Sequence, residues 1–133
     1  MKETMKTRGQ MEAEIGEALI RFEKEYLGRG PVETKTYLID DMVLVRLKGV
    51  MTQAEHQLAR SAEGSKGREL IKLMRVELVE RGRPLLEASL ESVTGRKVIS
   101  LHTDISTITG ERVFVFILDG TPEFQPPHGA RSA

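Results

Sequence analysis

The sequence predicts an α+β domain in which helices are packed on a four-stranded antiparallel sheet. Two stretches, one in each half of the chain, have the pattern of a β-hairpin, in which two strand-like segments rich in apolar and β-branched residues flank a turn. The segments before and between them carry apolar residues at helical spacing. The predicted element order is α-β-β-α-α-β-β, within a single domain over 10–119. Residues 1–9 and the Pro/Gly-rich residues 120–133 are predicted to be disordered.

Composition limits the classes of protein to which the chain can belong. Its 20 basic and 20 acidic residues give a formal net charge of zero, which argues against a nucleic-acid-binding protein. It has no cysteine, so disulfides and cysteine-ligated metals are excluded. No apolar run reaches the roughly 18 residues of a membrane span, and no apolar signal-peptide region is visible at the start. We therefore expect a cytoplasmic protein that does not insert into the membrane.

The first element is an amphipathic helix over 10–27. Its apolar side chains recur at helical spacing, at Met11, Ile15, Leu19, Phe22 and Tyr26. Gly28 is placed to end the helix, and Pro31 prevents its resumption. Such a helix needs a partner for its apolar stripe, and the hairpin that follows is the nearest one.

The first hairpin spans 32–52 and turns at Asp40-Asp41. A two-residue turn pairs Ile39 with Met42 and thereby fixes the register of the remaining pairs. One face of this hairpin is predicted to be the core side of the sheet, with Val32, Leu38, Val43, Val45 and Leu47.

The other face of the hairpin is apolar near the turn. It carries Tyr37, Ile39, Met42 and Leu44, which are too hydrophobic for a face that meets water. Either a helix or a second subunit must cover them. We predict that these residues form an interface and that the protein is a homodimer.

Helices are predicted between the two hairpins. Thr52-Gln53-Ala54-Glu55 matches a capping box, which starts a helix. The helical pattern weakens at Gly64–Gly67, so this segment is either one long helix or two helices with a short joint. Its later apolar stripe consists of Leu70, Ile71, Met74 and Leu78. Gly82-Arg83-Pro84 is predicted to break the helix, and a further helix runs from Pro84 to Val93.

The second hairpin has strands over 97–106 and 112–119. Its loop contains Gly110, which is available for positive φ. The segment Val113–Leu118 is apolar on both faces, which indicates a central strand that is covered on both sides.

Two groups of polar residues near turns and strand edges are candidates for a ligand site. His102 and Asp104 share one strand face, where they can bind a metal ion or form an acid–base pair. A solvated strand edge explains them as well, since a metal site usually needs three or four ligands. Arg29 and Gly30 offer a guanidinium and a backbone amide to an anion, although the end of a helix needs a glycine here in any case.

A third candidate is the basic stripe of Arg68, Lys72 and Arg75, which lie at helical spacing on one face. Such a stripe either docks an acidic partner or phosphate, or is a solvated face with intrahelical ion pairs. No nucleophile elbow or comparable catalytic motif occurs in the chain. We therefore predict a protein that is not an enzyme, with no metal and no cofactor.

Four blocks of sequence resemble the small bacterial MpsC-like proteins. They are G-R-G-P (28–31), D-D-M-V-L-V-R-L-K-G-V-M-T-Q-A-E (40–55), G-R-E-L-I-K-L-M-R (67–75) and T-G-R-K-V-I-S-L-H-T-D-I-S-T-I-T-G-E-R-V-F-V-F-I-L-D (94–119). The resemblance covers roughly residues 10–119, and the last block is the most specific. It implies an association with a sodium-translocating system that generates a membrane potential, with no catalytic residues to carry over.

Two functions follow from these observations. The first is a non-enzymatic accessory or regulatory domain, resembling MpsC, that binds a protein partner of the membrane transport system and lies at the periphery of the membrane. The alternative is a sensor of a small ligand or anion that uses Arg29, Arg68 and His102.

Overall fold

The computed structural model describes residues 5–60 and 64–125, which form the predicted α+β domain. The elements are α1 (Arg8–Leu27), β1 (Glu33–Ile39), β2 (Met42–Lys48), α2 (Gln53–Ala59), α3 (Gly64–Thr94), β3 (Val98–Ile105) and β4 (Arg112–Leu118). The strands form one antiparallel sheet in the order β1-β2-β4-β3. The two hairpins therefore pair within one chain, through β2 and β4.

The first helix begins slightly earlier than the sequence predicted, at Arg8. Thr7 caps it, because its side chain accepts a hydrogen bond from the Gln10 amide while the Gln10 side chain accepts one from the Thr7 amide. Gly28 ends the helix at φ 85°, which is the left-handed conformation expected of a glycine in this position.

The predicted register of the first hairpin is confirmed. Ile39 pairs with Met42, and every pair back to Glu33 and Lys48 follows from it. The prediction that Val32 belongs to the core is wrong, since this side chain is 72% exposed. It precedes β1 and packs over Gly49 instead of pointing into the sheet.

The helices α1 and α3 lie on one face of the sheet and form the core with it, and α2 packs on α3. The side chains that point to this face are adjacent across the strands, because Leu38 pairs with Val43, and Val43 pairs with Phe116. The core contains Ile15, Leu19, Phe22, Leu38, Val43, Val45, Leu47, Ile71, Val79, Leu86, Leu90, Ile105, Phe114, Phe116 and Leu118.

The predicted break at Gly82-Arg83-Pro84 is wrong, because α3 continues through Pro84 to Thr94. Gly82 faces α1, where an added Cβ would lie 2.4 Å from Phe22 Cε1. Gly82 therefore lets two helices approach closely, and the buried Val79, Leu86 and Leu90 on either side of Pro84 offset its missing hydrogen bond.

The start of the central helical region agrees with one of the two predicted arrangements, two helices with a joint. Thr52 and Glu55 form the predicted capping box of α2. Gly67 does not weaken α3, since it faces α2, where an added Cβ would lie 2.1 Å from the Leu58 carbonyl oxygen. Residues 61–63 of this joint lie outside the described residues.

The apolar stripe predicted for α3 is partly wrong. Ile71 is buried, but Leu70 and Met74 are 49% and 44% exposed. The face that packs on the sheet instead contains Ile71, Arg75, Val79, Gly82, Leu86 and Leu90. An arginine thus occupies a core position of this helix.

The predicted disordered ends need correction where the structure describes them. Lys6 Nζ donates to Glu14 Oε1 at 2.7 Å, and its carbonyl accepts from the Gln125 amide at 3.0 Å. Phe124 packs against the core. Residues 5–9 and 120–125 are therefore part of the domain, and the predictions for 1–4 and 126–133 lie outside the described residues.

Candidate functional site

The second face of the sheet is apolar and carries no helix among the described residues. We call it the open face and define it by the apolar side chains Tyr37, Ile39, Met42, Leu44, Val113, Val115 and Ile117. Tyr37 and Ile39 are 42% and 46% exposed, and the others are half-buried between neighbouring strands. The first of the two predicted covers, a helix of the same chain, is therefore not what the structure shows.

The register arranges the open face in three rows that cross the sheet from β1 to β3. The row nearest the Asp40-Asp41 turn is Ile39, Met42, Ile117 and Ser100. The middle row is Tyr37, Leu44, Val115 and His102. The third row is Lys35, Arg46, Val113 and Asp104. The face thus has an apolar interior on β2 and β4 and a polar border along β3.

The charged residues of the third row, Lys35, Arg46 and Asp104, are exposed, and each forms an ion pair within the chain. Lys35 Nζ lies 3.8 Å from Glu33 Oε2, and Arg46 pairs with Glu111. Asp104 Oδ1 lies 3.4 Å from Lys72 Nζ, which reaches it from α3 around the edge strand, and the Asp104 side chain remains 72% exposed. Lys35 and Asp104 stand at opposite edges of this row.

The second notable feature is a cluster of buried charges under the helices, which we call the charge network. It joins Glu23 of α1, Glu55 of α2, Arg75 of α3 and Arg112 of β4, all at most 5% exposed. Arg75 donates to both carboxylate oxygens of Glu55, at 2.7 and 2.8 Å, and to Glu23 Oε1 at 3.2 Å. It also donates to the Val50 carbonyl at 3.1 Å, so one guanidinium holds three segments of the chain together.

Arg112 completes the network from the sheet side. Its Nε donates to Thr103 Oγ1 at 3.2 Å and lies 3.8 Å from Glu23 Oε2, and its guanidinium stacks over the Phe114 ring at 4.8 Å. Glu23 Oε2 and Arg112 Nη1 are buried and make no hydrogen bond with any described residue. The contact between Glu23 and Arg112 is therefore the looser half of the network.

Burial shifts the pKa values of Glu23 and Arg112 toward the neutral form, whereas hydrogen bonds reverse this effect at Glu55. It raises the pKa of Glu23 above its ordinary value, and it lowers the pKa of Arg112 to about 10. Burial opposes ionisation of Glu55 as well, but hydrogen bonds from Arg75 and Thr52 outweigh it and hold the pKa of Glu55 below its ordinary value. Of the two carboxylates Glu23 and Glu55, it is therefore Glu55 whose ionised form is stabilised in the folded protein.

We expect Glu55→Gln to destabilise the protein more than Glu23→Gln at neutral pH, by about 1 kcal/mol, because only Glu55 accepts both hydrogen bonds of the Arg75 fork. The lowered pKa of Glu55 stabilises the fold above 4.5, the ordinary value, and this contribution disappears as the pH falls through the folded-state pKa. The raised pKa of Glu23 has the opposite sign, since its contribution is lost as the pH rises above 4.5.

Urea unfolding of both variants at neutral pH and below pH 4.5 measures this difference. The gap between wild type and Glu55→Gln is expected to narrow on acidification, whereas wild type is expected to gain stability relative to Glu23→Gln. Equal gaps that do not depend on pH would contradict the assignment of the two carboxylates.

The sequence did not identify the charge network, and it placed Arg75 on a surface stripe with Arg68 and Lys72. The structure corrects this, because Arg75 is 1% exposed. A signal was present in the spacing, since Arg75 falls between Ile71 and Val79 at intervals of four, which is the interval that defines a buried helix face.

A third feature is a cavity of about 350 Å³ where α1 ends and α2 begins. It is lined by Arg29, Met51, Gln53, His56 and Arg60. The lining includes Arg29 of the predicted anion site but not Gly30, which packs against the Lys24 side chain.

The other predicted ligand residues do not join this cavity. Arg68 is exposed on α3, and Lys72 is paired with Asp104. His102 lies on the open face beside Val115, whereas α3 lies on the opposite face of the sheet. The structure therefore does not assemble Arg29, Arg68 and His102 into one site. Within residues 5–60 and 64–125, no group of three or more potential metal ligands is close enough to hold an ion.

Comparison with known proteins identifies the family of this fold. The profile of the family described as "Na+-translocating membrane potential-generating system (MpsC)" matches residues 7–120, from the cap of α1 to just past the end of β4. The chain belongs to the MpsC family.

Two curated relatives from Bacillus subtilis (strain 168) are similar along most of their length. The chain is 47% identical to the uncharacterized protein YbcI over 113 residues, which are 85% of this chain and 89% of that protein. It is 27% identical to the uncharacterized protein YrhF over 110 residues, which are 80% of this chain and 85% of that protein. No solved structure matches the chain.

The description of the MpsC family refers to a membrane system, which raises the question of whether a helix of this chain can span a bilayer. In the part of the chain that the structure describes, no helix is both long and apolar enough to cross a bilayer.

Proposed function

We propose that this member of the MpsC family is a non-enzymatic accessory protein that works as a homodimer, with the open faces of two copies packed on each other. The proposed link to a sodium-translocating membrane system is supported by the family description. On this proposal the protein is cytoplasmic, lies at the periphery of the membrane, and regulates or assists the system through a protein partner. The observation that carries the proposal is the uncovered apolar face of the sheet.

An open face of this composition needs a cover. An antiparallel sheet with one solvated face normally alternates apolar and polar residues, so that the solvated face is polar. Here β4 is apolar on both sides, with Val113, Val115 and Ile117 on the open face beside Met42 and Leu44 of β2. Contiguous apolar patches of this kind mark interaction sites in soluble proteins. Two sheets that pack face to face bury such patches in a sandwich about 10 Å thick.

A two-fold axis that runs parallel to the strands, between β2 and β4, makes the open face self-complementary. Such an axis reverses the strand order and preserves the rows, so that β1 of one copy faces β3 of the other. Leu44 then faces Val115 of the second copy, and Met42 faces Ile117 of the second copy. The apolar interior of each sheet is thereby covered by the apolar interior of its mate.

The same axis matches the borders of the two faces. Lys35 on β1 faces Asp104 on β3 of the second copy, and Tyr37 faces His102 of the second copy. A two-fold axis perpendicular to the strands would instead place Lys35 against Ile39 and Arg46 against Met42. That arrangement places two basic side chains of each copy against apolar side chains, whereas the first axis does so only for Arg46, which faces Val113 of the second copy. Charge complementarity therefore favours a second copy with its strands aligned in the first way.

A charge swap tests this arrangement. Lys35→Glu and Asp104→Lys each place like charges opposite one another at two symmetry-related positions, so each is expected to weaken association about tenfold. The double variant restores opposite charges and is expected to regain most of the affinity. The dissociation constant of each variant can be measured by sedimentation equilibrium.

Glu17→Lys serves as the control, because it makes the same kind of charge change on an exposed position of α1, away from the open face. It is expected to leave association unchanged. A double variant that associates no better than either single variant would rule out this pairing of β1 with β3.

A further inference from the structure

We infer that the cavity lined by Arg29, His56 and Arg60 is a binding site for the phosphate group of a small phosphorylated molecule. This site lies where α1 ends and α2 begins, and none of its lining residues belongs to the open face. It is therefore independent of the proposed dimer. Its lining combines two guanidinium groups and an imidazole with the amide of Gln53 and the thioether of Met51.

Arg29 is held in place before any ligand arrives. Its Nε donates to the Gly49 carbonyl at 2.9 Å, which fixes the plane of the guanidinium against the end of β2. None of the described residues accepts a hydrogen bond from the terminal amino groups of Arg29, so these groups can donate to a ligand. Such a fork matches two oxygens of a phosphate or carboxylate, and its fixed orientation lowers the entropy lost on binding.

His56 of α2 and Arg60, the residue that caps the end of α2, contribute the second and third donors. They are four residues apart, and both side chains line the cavity. Glu55, next to His56 in the sequence, points the other way and is engaged by Arg75 in the charge network. The packing of α2 thus separates an inner acidic side chain from an outer basic pair.

Among the described residues, the lining of the cavity is positive, although the whole chain has a formal net charge of zero. The five described residues that line it are basic or uncharged. Glu111, the residue before β4, is an acidic residue close to this region in the sequence, but its carboxylate is paired with Arg46 of the open face. A concave site with one sign of charge concentrates anions of the opposite sign.

The size and donors of the cavity indicate the class of ligand. A volume of about 350 Å³ is near the lower end of small-molecule sites. Two guanidinium groups and a ring nitrogen supply more donors than a single carboxylate can accept, whereas a phosphate monoester has three terminal oxygens and about two negative charges. Met51 is 1% exposed, so the site offers little apolar surface, and the phosphate group is expected to account for most of the binding.

Isothermal titration calorimetry of the full chain tests the site with two probes, inorganic phosphate and AMP. We expect at least one probe to bind at millimolar or lower concentration. Tighter binding of AMP would show that the organic part contributes, and equal binding would assign the site to the phosphate group alone. Arg29→Gln and Arg60→Gln are each expected to weaken binding at least tenfold, because each removes a charged donor pair.

Arg68→Gln is the matched control, since Arg68 is an exposed arginine on α3 that does not line the cavity. It is expected to bind both probes like wild type. The inference is overturned if neither probe binds, or if Arg68→Gln weakens binding as much as Arg29→Gln does. Circular dichroism and the melting temperature of each variant exclude loss of folding as the cause. The Lys35→Glu variant, whose substitution lies on the open face, is expected to bind both probes like wild type. This result would show that the phosphate site does not depend on the proposed dimer.

Discussion

Arg75→Ala is expected to lower the free energy of unfolding by about 3 to 5 kcal/mol, because it breaks a buried ion pair by removing one partner. The substitution removes the shared partner of Glu23 and Glu55, which are 0% and 5% exposed. Two carboxylates would then remain buried beside each other with only Arg112 near one of them. Urea unfolding followed by circular dichroism measures the change in free energy.

Two further variants make the result for Arg75 interpretable. Arg75→Lys keeps the positive charge but loses the fork that binds both oxygens of Glu55, so it is expected to fall between wild type and Arg75→Ala. It also provides a measurable protein if Arg75→Ala does not fold. Arg68→Ala, on the exposed side of the same helix, is expected to change stability by less than about 0.5 kcal/mol. An Arg75→Ala variant within about 1 kcal/mol of wild type would show that the network does not hold the helices together.

Gly82→Ala is expected to destabilise the protein by about 1 to 3 kcal/mol, although alanine is the better helix former by about 1 kcal/mol. An added Cβ would lie 2.4 Å from Phe22 Cε1 and 3.1 Å from Tyr26 Cε2. Phe22 has little room to move, because its ring stacks on Tyr26 at 4.8 Å and meets the edge of Phe114 at 6.3 Å. Packing thus predicts that Gly82→Ala lowers stability, whereas helix propensity predicts that it raises stability. Thermal or urea unfolding shows which effect dominates.

Gly9→Ala is the control for helix propensity. Gly9 lies in the first turn of α1, and the nearest atom to an added Cβ is 4.0 Å away. This variant is expected to be neutral or slightly stabilising. If Gly82→Ala were also stabilising, the close approach of α1 and α3 at this position would be wrong.

Local patterns in the sequence were sufficient to predict the sheet. The turn at Asp40-Asp41 fixes the register of β1 and β2, since each pair follows from the one before it. Thr52 and Glu55 start α2 as the capping box requires, and Gly110 adopts the predicted positive φ of 75°. Each of these features depends on residues that are neighbours in the sequence, which is why the sequence reveals them.

The features that the sequence missed depend on contacts between distant segments. Gly82 and Pro84 break helices on propensity alone, but the contact with Phe22 and the burial of Leu86 and Leu90 keep α3 continuous. An arginine is expected at the surface when only its residue type is considered. Arg75 can be buried because Glu55 and Glu23, which come from other helices, pair with its charge.

The candidate site was predicted in part. The apolar end of the first hairpin, from Tyr37 to Leu44, was expected to need a cover, and the structure shows that no described helix provides one. The sequence did not show that Val113, Val115 and Ile117 extend the same surface, because that depends on the pairing of β2 with β4. It also separated Arg29 from His56 and Arg60, which come together only when α2 packs beside the end of α1.

The mass of the unmodified chain in solution tests the central claim most directly. One chain has a mass of 14.9 kDa, so a dimer formed through the open faces has twice that mass. Sedimentation equilibrium over a range of micromolar concentrations is expected to give the dimer mass. Leu44→Glu, which places a carboxylate in the apolar interior of the interface, is expected to give the mass of one chain. A wild-type protein that remains at 14.9 kDa at every concentration would contradict the proposal that a second copy covers the open face.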